Sequence, residues 1–101
     1  MDFQIINNKG VYELHGHFIE EHTFNVASYF NTLLDKYYEI VICLNGVKQI
    51  DKTAINVMRF IQNKAKQRSK TVFVLGKDNK KIKDKFKQAN LTNIFRNDYY
   101  S

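Results

Sequence analysis

A chain of 101 residues, 44% of them hydrophobic, has room for one domain with one modest core. No apolar tract is long enough to span a bilayer, the Met1-Asp2-Phe3-Gln4 start lacks the basic flank and apolar core of a signal peptide, and the single cysteine, Cys43, forms no internal disulfide. The expectation is a soluble cytoplasmic protein whose net charge of +6 is unevenly placed: residues 1–61 hold five Lys/Arg against seven Asp/Glu, residues 62–101 eleven against three.

Phe3 to Ile6 reads as a short strand, Asn7-Asn8-Lys9-Gly10 as a turn, and Val11, Tyr12, Leu14 and Phe18 as a second strand, so the chain opens with a hairpin. From about Thr23 to Tyr37, the residues Val26, Ala27, Phe30, Leu33, Leu34 and Tyr37 recur at helical spacing and predict an amphipathic helix covering a sheet. Glu39 to Leu44 has the continuous apolar character of a central strand, with Cys43 inside it as a small buried hydrophobe. Asn45 to Ile50 reads as a short loop.

A second helix runs from near Lys52 to about Arg68, with Ala54, Val57, Met58, Ile61 and Ala65 as its buried stripe. Ile55 falls toward the polar side, as the margin of the core or as part of a docking patch. Thr71 to Leu75 is the clearest strand, closed by Gly76. Asn79 to Ala89 makes a third helix with Ile82, Phe86 and Ala89 inward and five lysines spread over the rest, and Ile94-Phe95 gives a last extended piece. Repeats and linkers are absent. This order predicts an α/β domain over residues 1–101: a mixed sheet of four or five strands with helices packed mainly on one face.

Few residues combine into a chemical site. His15 and His17 share one strand face with His22 nearby, but no cysteine or carboxylate stands at a zinc spacing, and ordinary surface histidines are expected rather than a metal. There is no glycine-rich phosphate loop, no Gly-x-Ser-x-Gly elbow and no oriented Cys-His pair, so neither a cofactor nor enzymatic activity is expected. The lysine-rich third helix has no aromatic residue on its polar side to stack bases, and reads as a solvated face rather than a nucleic-acid surface.

The informative segment is Ile50-Asp51-Lys52-Thr53-Ala54. Asp51 reads as an N-cap and Thr53 as a hydroxyl inside the first turn, where unpaired backbone N–H groups and the positive end of the helix dipole favour an added phosphate. The same pair also serves simply to start a helix. This Ile-Asp-x-Ser/Thr-small pattern after a strand, with Leu14-His15-Gly16-His17-Phe18 upstream and the order of the remaining segments, resembles the STAS domain of bacterial anti-sigma factor antagonists.

That resemblance implies a STAS-like fold and a phosphorylation-controlled binding module. The implied partner is an anti-sigma factor with serine/threonine kinase activity, whose engagement releases a sigma factor, with a phosphatase as a further partner. It implies Thr53 as the phosphoacceptor, Asp51 as the residue fixing the helix start, and Lys52 and Ile55 as rim contacts. Lys52 and Ala54 stand where the family usually has Ser and Gly, and Cys43 where it commonly has Asp or Asn. A charged Lys52 beside the acceptor is expected to weaken the switch. The alternative implied role is a constitutive subunit of a larger assembly, such as a lipid-transport complex, without phosphate control.

Overall fold

The computed structural model describes residues 3–95. Its elements run β1 (Phe3–Asn8), β2 (Val11–Phe18), α1 (Glu20–Lys36), β3 (Glu39–Ile50), α2 (Lys52–Gln67), β4 (Thr71–Leu75) and α3 (Lys80–Gln88), followed by a 3-10 turn at Thr92–Ile94. The four strands lie in the order β1-β2-β3-β4 in one mixed sheet, β1 antiparallel to β2 and the other pairs parallel.

The opening hairpin follows from turn chemistry. Asn8 pairs with Val11, leaving Lys9 and Gly10 as a two-residue loop with φ of 52° and 91°, and the Asn7 side chain accepts from the Gly10 N–H at 2.9 Å. The expected final extended piece is smaller than a strand: Ile94 ends the 3-10 turn, and Phe95 makes a single parallel bridge to Val74 at the sheet edge.

The helices cover the sheet face carrying Tyr12, Leu14, Ile40, Ile42, Val72 and Val74, which joins Val26, Phe30, Leu34, Met58, Ile61, Ile82 and Phe86 in one core. The residues between them, Val11, Glu13, Val41, Cys43, Phe73 and Leu75, are only partly buried on the opposite face. Cys43 is therefore half-buried on the open side of the sheet, where register sets it opposite Glu13 and Leu75, instead of in the core.

β3 is twice as long as its apolar run suggests. The expected loop at Asn45 to Ile50 is strand, and its pairing with β2 shifts register between Glu13 and His15 and again between Gly16 and His17. Each shift puts an extra residue into β3, so the buried side chains fall at Leu44, Val47 and Ile50, three apart instead of two. Gly46 sits within this stretch because a Cβ there would lie 2.3 Å from His15 Nδ1.

Asn79 completes the irregular stretch from outside. Its Nδ2 donates to the carbonyls of Leu44 (2.8 Å) and Val47 (2.9 Å), while its Oδ1 accepts from the Lys81 N–H at 3.0 Å and caps α3. One side chain thus fastens the third helix to the bulged strand. Gly76 allows this close approach: its φ is +119°, and a Cβ would meet the Leu44 and Asn45 backbone at 3.2 to 3.3 Å.

On the open face, Glu13 accepts from Asn8 Nδ2 at 3.0 Å and lies 2.9 Å from His15 Nε2. The Asn8 hydrogen bond, with His15 second, holds its carboxyl below the ordinary glutamate range.

Two measurements test these contacts. Asn79→Ala strands two half-buried carbonyls as well as uncapping α3, and should cost about 2–3 kcal/mol in urea unfolding, against ~1 kcal/mol for an ordinary cap. A loss below that ordinary figure would show that the two carbonyl contacts contribute nothing. Because folding depresses the Glu13 pKa, its contribution is complete above the ordinary glutamate value and is lost as pH falls through the depressed one. A carboxyl carbon titration by NMR should place the Glu13 midpoint below that of a glutamate in the unfolded chain.

Candidate functional site

The site forms where β3 runs into α2 at the carboxyl edge of the parallel strands, the usual edge for functional loops in such sheets. Asp51 is the N-cap of α2, as the sequence indicates: Oδ1 accepts from the Ala54 N–H at 2.9 Å, and its carbonyl accepts from the Ile55 N–H at 3.0 Å. Its other oxygen does something no local pattern announces. Oδ2 accepts from the Glu20 N–H at 2.9 Å, so the same carboxylate caps α1, whose own cap residue, Ile19, offers no side-chain acceptor. The Asp51 N–H donates to the Phe18 carbonyl at 3.3 Å, which closes the ends of β2 and β3 around this carboxylate.

α1 consequently begins at Glu20, three residues before the position that apolar spacing suggests, and ends at Lys36 with Tyr37 half-exposed outside it. Of the stripe expected on this helix, Val26, Phe30 and Leu34 are fully buried.

Thr53 is the second residue of α2. It is partly exposed, and its hydroxyl makes no hydrogen bond among the described residues. The amides of Lys52 and Thr53 are the two first-turn donors that Asp51 does not take, and they give this surface point a local preference for negative charge. Lys52 is exposed beside it, and Ala54 is fully buried, which accounts for a small residue there.

Ile55 is placed differently from its expected position toward the polar side. It is only 3% exposed and belongs to the core, because α2 is packed by α1 on one flank and approached by α3 on the other, which widens its buried arc. The large apolar side chain that α2 does expose is Phe60, under the Lys64 ammonium at 5.7 Å from the ring centroid.

Beside the helix start lies a cleft of about 440 Å³ between α2 and α3, with Lys52, Arg59 and Lys85 on its walls and Ile55 and Ala89 as its apolar lining. Arg59 lies off the buried stripe of α2. It spans the cleft, donating to Asn56 Oδ1 and to the Ala89 carbonyl, each at 3.1 Å. His15, His17 and His22 build no metal site: no group of three or more His, Cys, Asp or Glu suited to a metal ion occurs among the described residues. No helix among the described residues is long and apolar enough to cross a membrane.

Asp51→Ala removes caps from two helices and should cost about 2–3 kcal/mol, roughly twice a single cap. Asp51→Asn keeps one acceptor oxygen and should lose about half of that. Urea unfolding gives the totals, and amide exchange at Glu20 and Ala54 should accelerate together in the alanine variant. Faster exchange at Ala54 alone would show that α1 does not depend on this carboxylate.

No protein-family model matches this sequence, and no characterised protein matches it by sequence. Solved structures match by shape. The phosphorylated form of the Bacillus cell fate determinant SpoIIAA superimposes with a TM-score of 0.66 at 9% identity, over 93% of this chain and 88% of that one. The protein TM1081 gives a TM-score of 0.66 at 20% identity, over 93% and 76% of the two chains. A sulfate transporter family protein from Wolinella succinogenes gives 0.63 at 18% identity, over 90% and 75%.

Proposed function

We propose that this chain, which has the STAS fold, is a non-catalytic protein-binding module of the anti-sigma antagonist kind, docking through the start of α2 and switched by a phosphoryl group on Thr53. The observation that carries the reading is the setting of Thr53: a partly exposed hydroxyl without a hydrogen bond among the described residues, within the first turn of a helix whose first two amides Asp51 does not take. The likeness to SpoIIAA, solved in a phosphorylated form, supports it. Under this reading the partner is an anti-sigma factor with serine/threonine kinase activity, and a phosphatase reverses the modification. The protein would act in the cytoplasm as a single domain. Lys52 and Thr53 offer the exposed contacts, whereas Asp51 and Ile55 act from beneath by holding the helix start.

A phosphoryl group adds about −1.5 to −2 charge. It would face a partner built to meet Lys52 and an uncharged Thr53, so binding weakens by repulsion and by the cost of stripping water from a dianion. Lys52 offsets part of that charge.

A second reading has one observation in its favour. A sulfate transporter family protein shares this fold, so the same architecture occurs in a protein named for transport. With Lys52 beside the acceptor position, the helix start could dock permanently within a larger assembly, such as a lipid-transport complex, with no phosphate involved.

Intact-mass and peptide-mapping spectrometry on protein recovered from its native cells should find one phosphoryl group, at Thr53. Thr53→Ala should retain partner affinity, and Thr53→Glu should bind at least ten-fold more weakly. Equal affinity of the two variants, with no phosphate under any growth condition, would replace the switch by the constitutive subunit.

A further inference from the structure

We propose that the cleft between α2 and α3 seats an acidic segment of a partner protein, with an apolar side chain of that segment resting against the partly exposed Ala89. Three cations line the cleft, Lys52 and Arg59 from α2 and Lys85 from α3, and no carboxylate among the described residues does. Lys52 and Lys85 make no ion pair among the described residues. The guanidinium of Arg59 is already oriented across the cleft by Asn56 Oδ1 and the Ala89 carbonyl, and these bonds use two of its five N–H donors. The remaining donors meet an incoming carboxylate without the ordering cost of a free side chain.

The shape selects among anions. Among the described residues the cleft has no aromatic lining, so these residues offer nucleic-acid bases no stacking platform. A bilayer presents a flat sheet of charge and would meet the exposed Lys80, Lys81, Lys83 and Lys87 of α3 before it reached a concave apolar floor. A volume of about 440 Å³ accommodates a few side chains, as a docked peptide requires.

The inference deepens the docking role assigned to the α2 start and rests on it only at Lys52, the residue shared by the two. Phosphate on Thr53 places a competing anion next to Lys52, so modification weakens the cleft's hold on the acidic segment as well as repelling the partner directly.

The test uses the full ¹⁵N-labelled chain and a synthetic helical peptide of glutamates carrying two leucines four residues apart. Amide shifts should saturate at Ile55, Asn56, Lys85, Gln88 and Ala89. Affinity should fall about ten-fold in Lys85→Glu and several-fold when serines replace the leucines, while a lysine peptide of the same pattern should not bind. The spectrum of Lys85→Glu reports whether it is folded, and Lys85→Gln should give an intermediate loss.

Shifts that spread along Lys77 to Lys87 without saturating would overturn the proposal. So would unchanged affinity in Lys85→Glu, or tighter binding at the cleft by single-stranded DNA or phosphatidylglycerol vesicles than by the peptide. Thr53→Glu separates the two readings. Saturable peptide binding that this substitution leaves untouched supports the cleft and removes its coupling to Thr53, whereas a wild-type chain that ignores the peptide removes the cleft and leaves the switch standing.

Discussion

One carboxylate holds the functional edge of this protein together. Asp51 closes the start of α2 with one oxygen and the start of α1 with the other, across 31 residues of sequence, and its own amide ties β3 back to β2. Each helix start carries the equivalent of about half a positive charge, so two of them meeting one carboxylate come close to cancelling. That balance lets two helix N-termini converge at one point. A dianionic group added at Thr53 would find there only the two first-turn amides that Asp51 leaves, those of Lys52 and Thr53. Most of the added charge would be presented outward, toward whatever docks there.

The same carboxylate marks the boundary of what could be read from sequence. The start of α2 was legible because its cap is local: Asp51 bonds an amide three residues on, and an apolar stripe follows. The start of α1 was not, because Ile19 carries no acceptor and the cap is supplied from the far side of the chain. A similar contrast runs through the sheet. The hairpin was evident because Asn and Gly chemistry is confined to the turn itself. The second half of β3 was hidden because two register shifts change its buried spacing from two residues to three, and a spacing of three with Asn45-Gly46 inside it looks like a loop. The carbonyls left over by that irregularity find their donor in Asn79, 35 residues after Leu44, which no local pattern could reveal.

Within the site, Asp51, Lys52 and Thr53 stand where spacing placed them, since all three depend only on where the helix begins. Ile55 does not. A stripe argument assumes that a helix buries one narrow face, and α2 lies against neighbours on two flanks, so its buried arc extends from Ala54 to the adjacent Ile55. The cleft beside it was invisible for the same reason. It exists only because α3 stops short of filling the space along α2, and because Arg59 reaches the α3 carboxyl end at Ala89. Of its three cations only Lys85 belongs to the basic stretch of residues 62–101 that composition singles out, and Lys52 and Arg59 come from the part of the chain that is net acidic.

These constraints bear on how a modification at Thr53 could act. Ala54 has no exposed surface, and Ile55 is sealed into the core while its amide is bound to the Asp51 carbonyl. The helix start therefore cannot rotate or unwind without uncovering apolar surface and breaking a cap shared with α1. A phosphate has no easy path to a conformational change here, because unwinding would release two helices at once. What it can change at little structural cost is the field at the surface, through Lys52 and the cations of the adjoining cleft. If Thr53 is phosphorylated as proposed, a rigid scaffold beside a basic groove favours regulation by electrostatic complementarity with the fold unchanged.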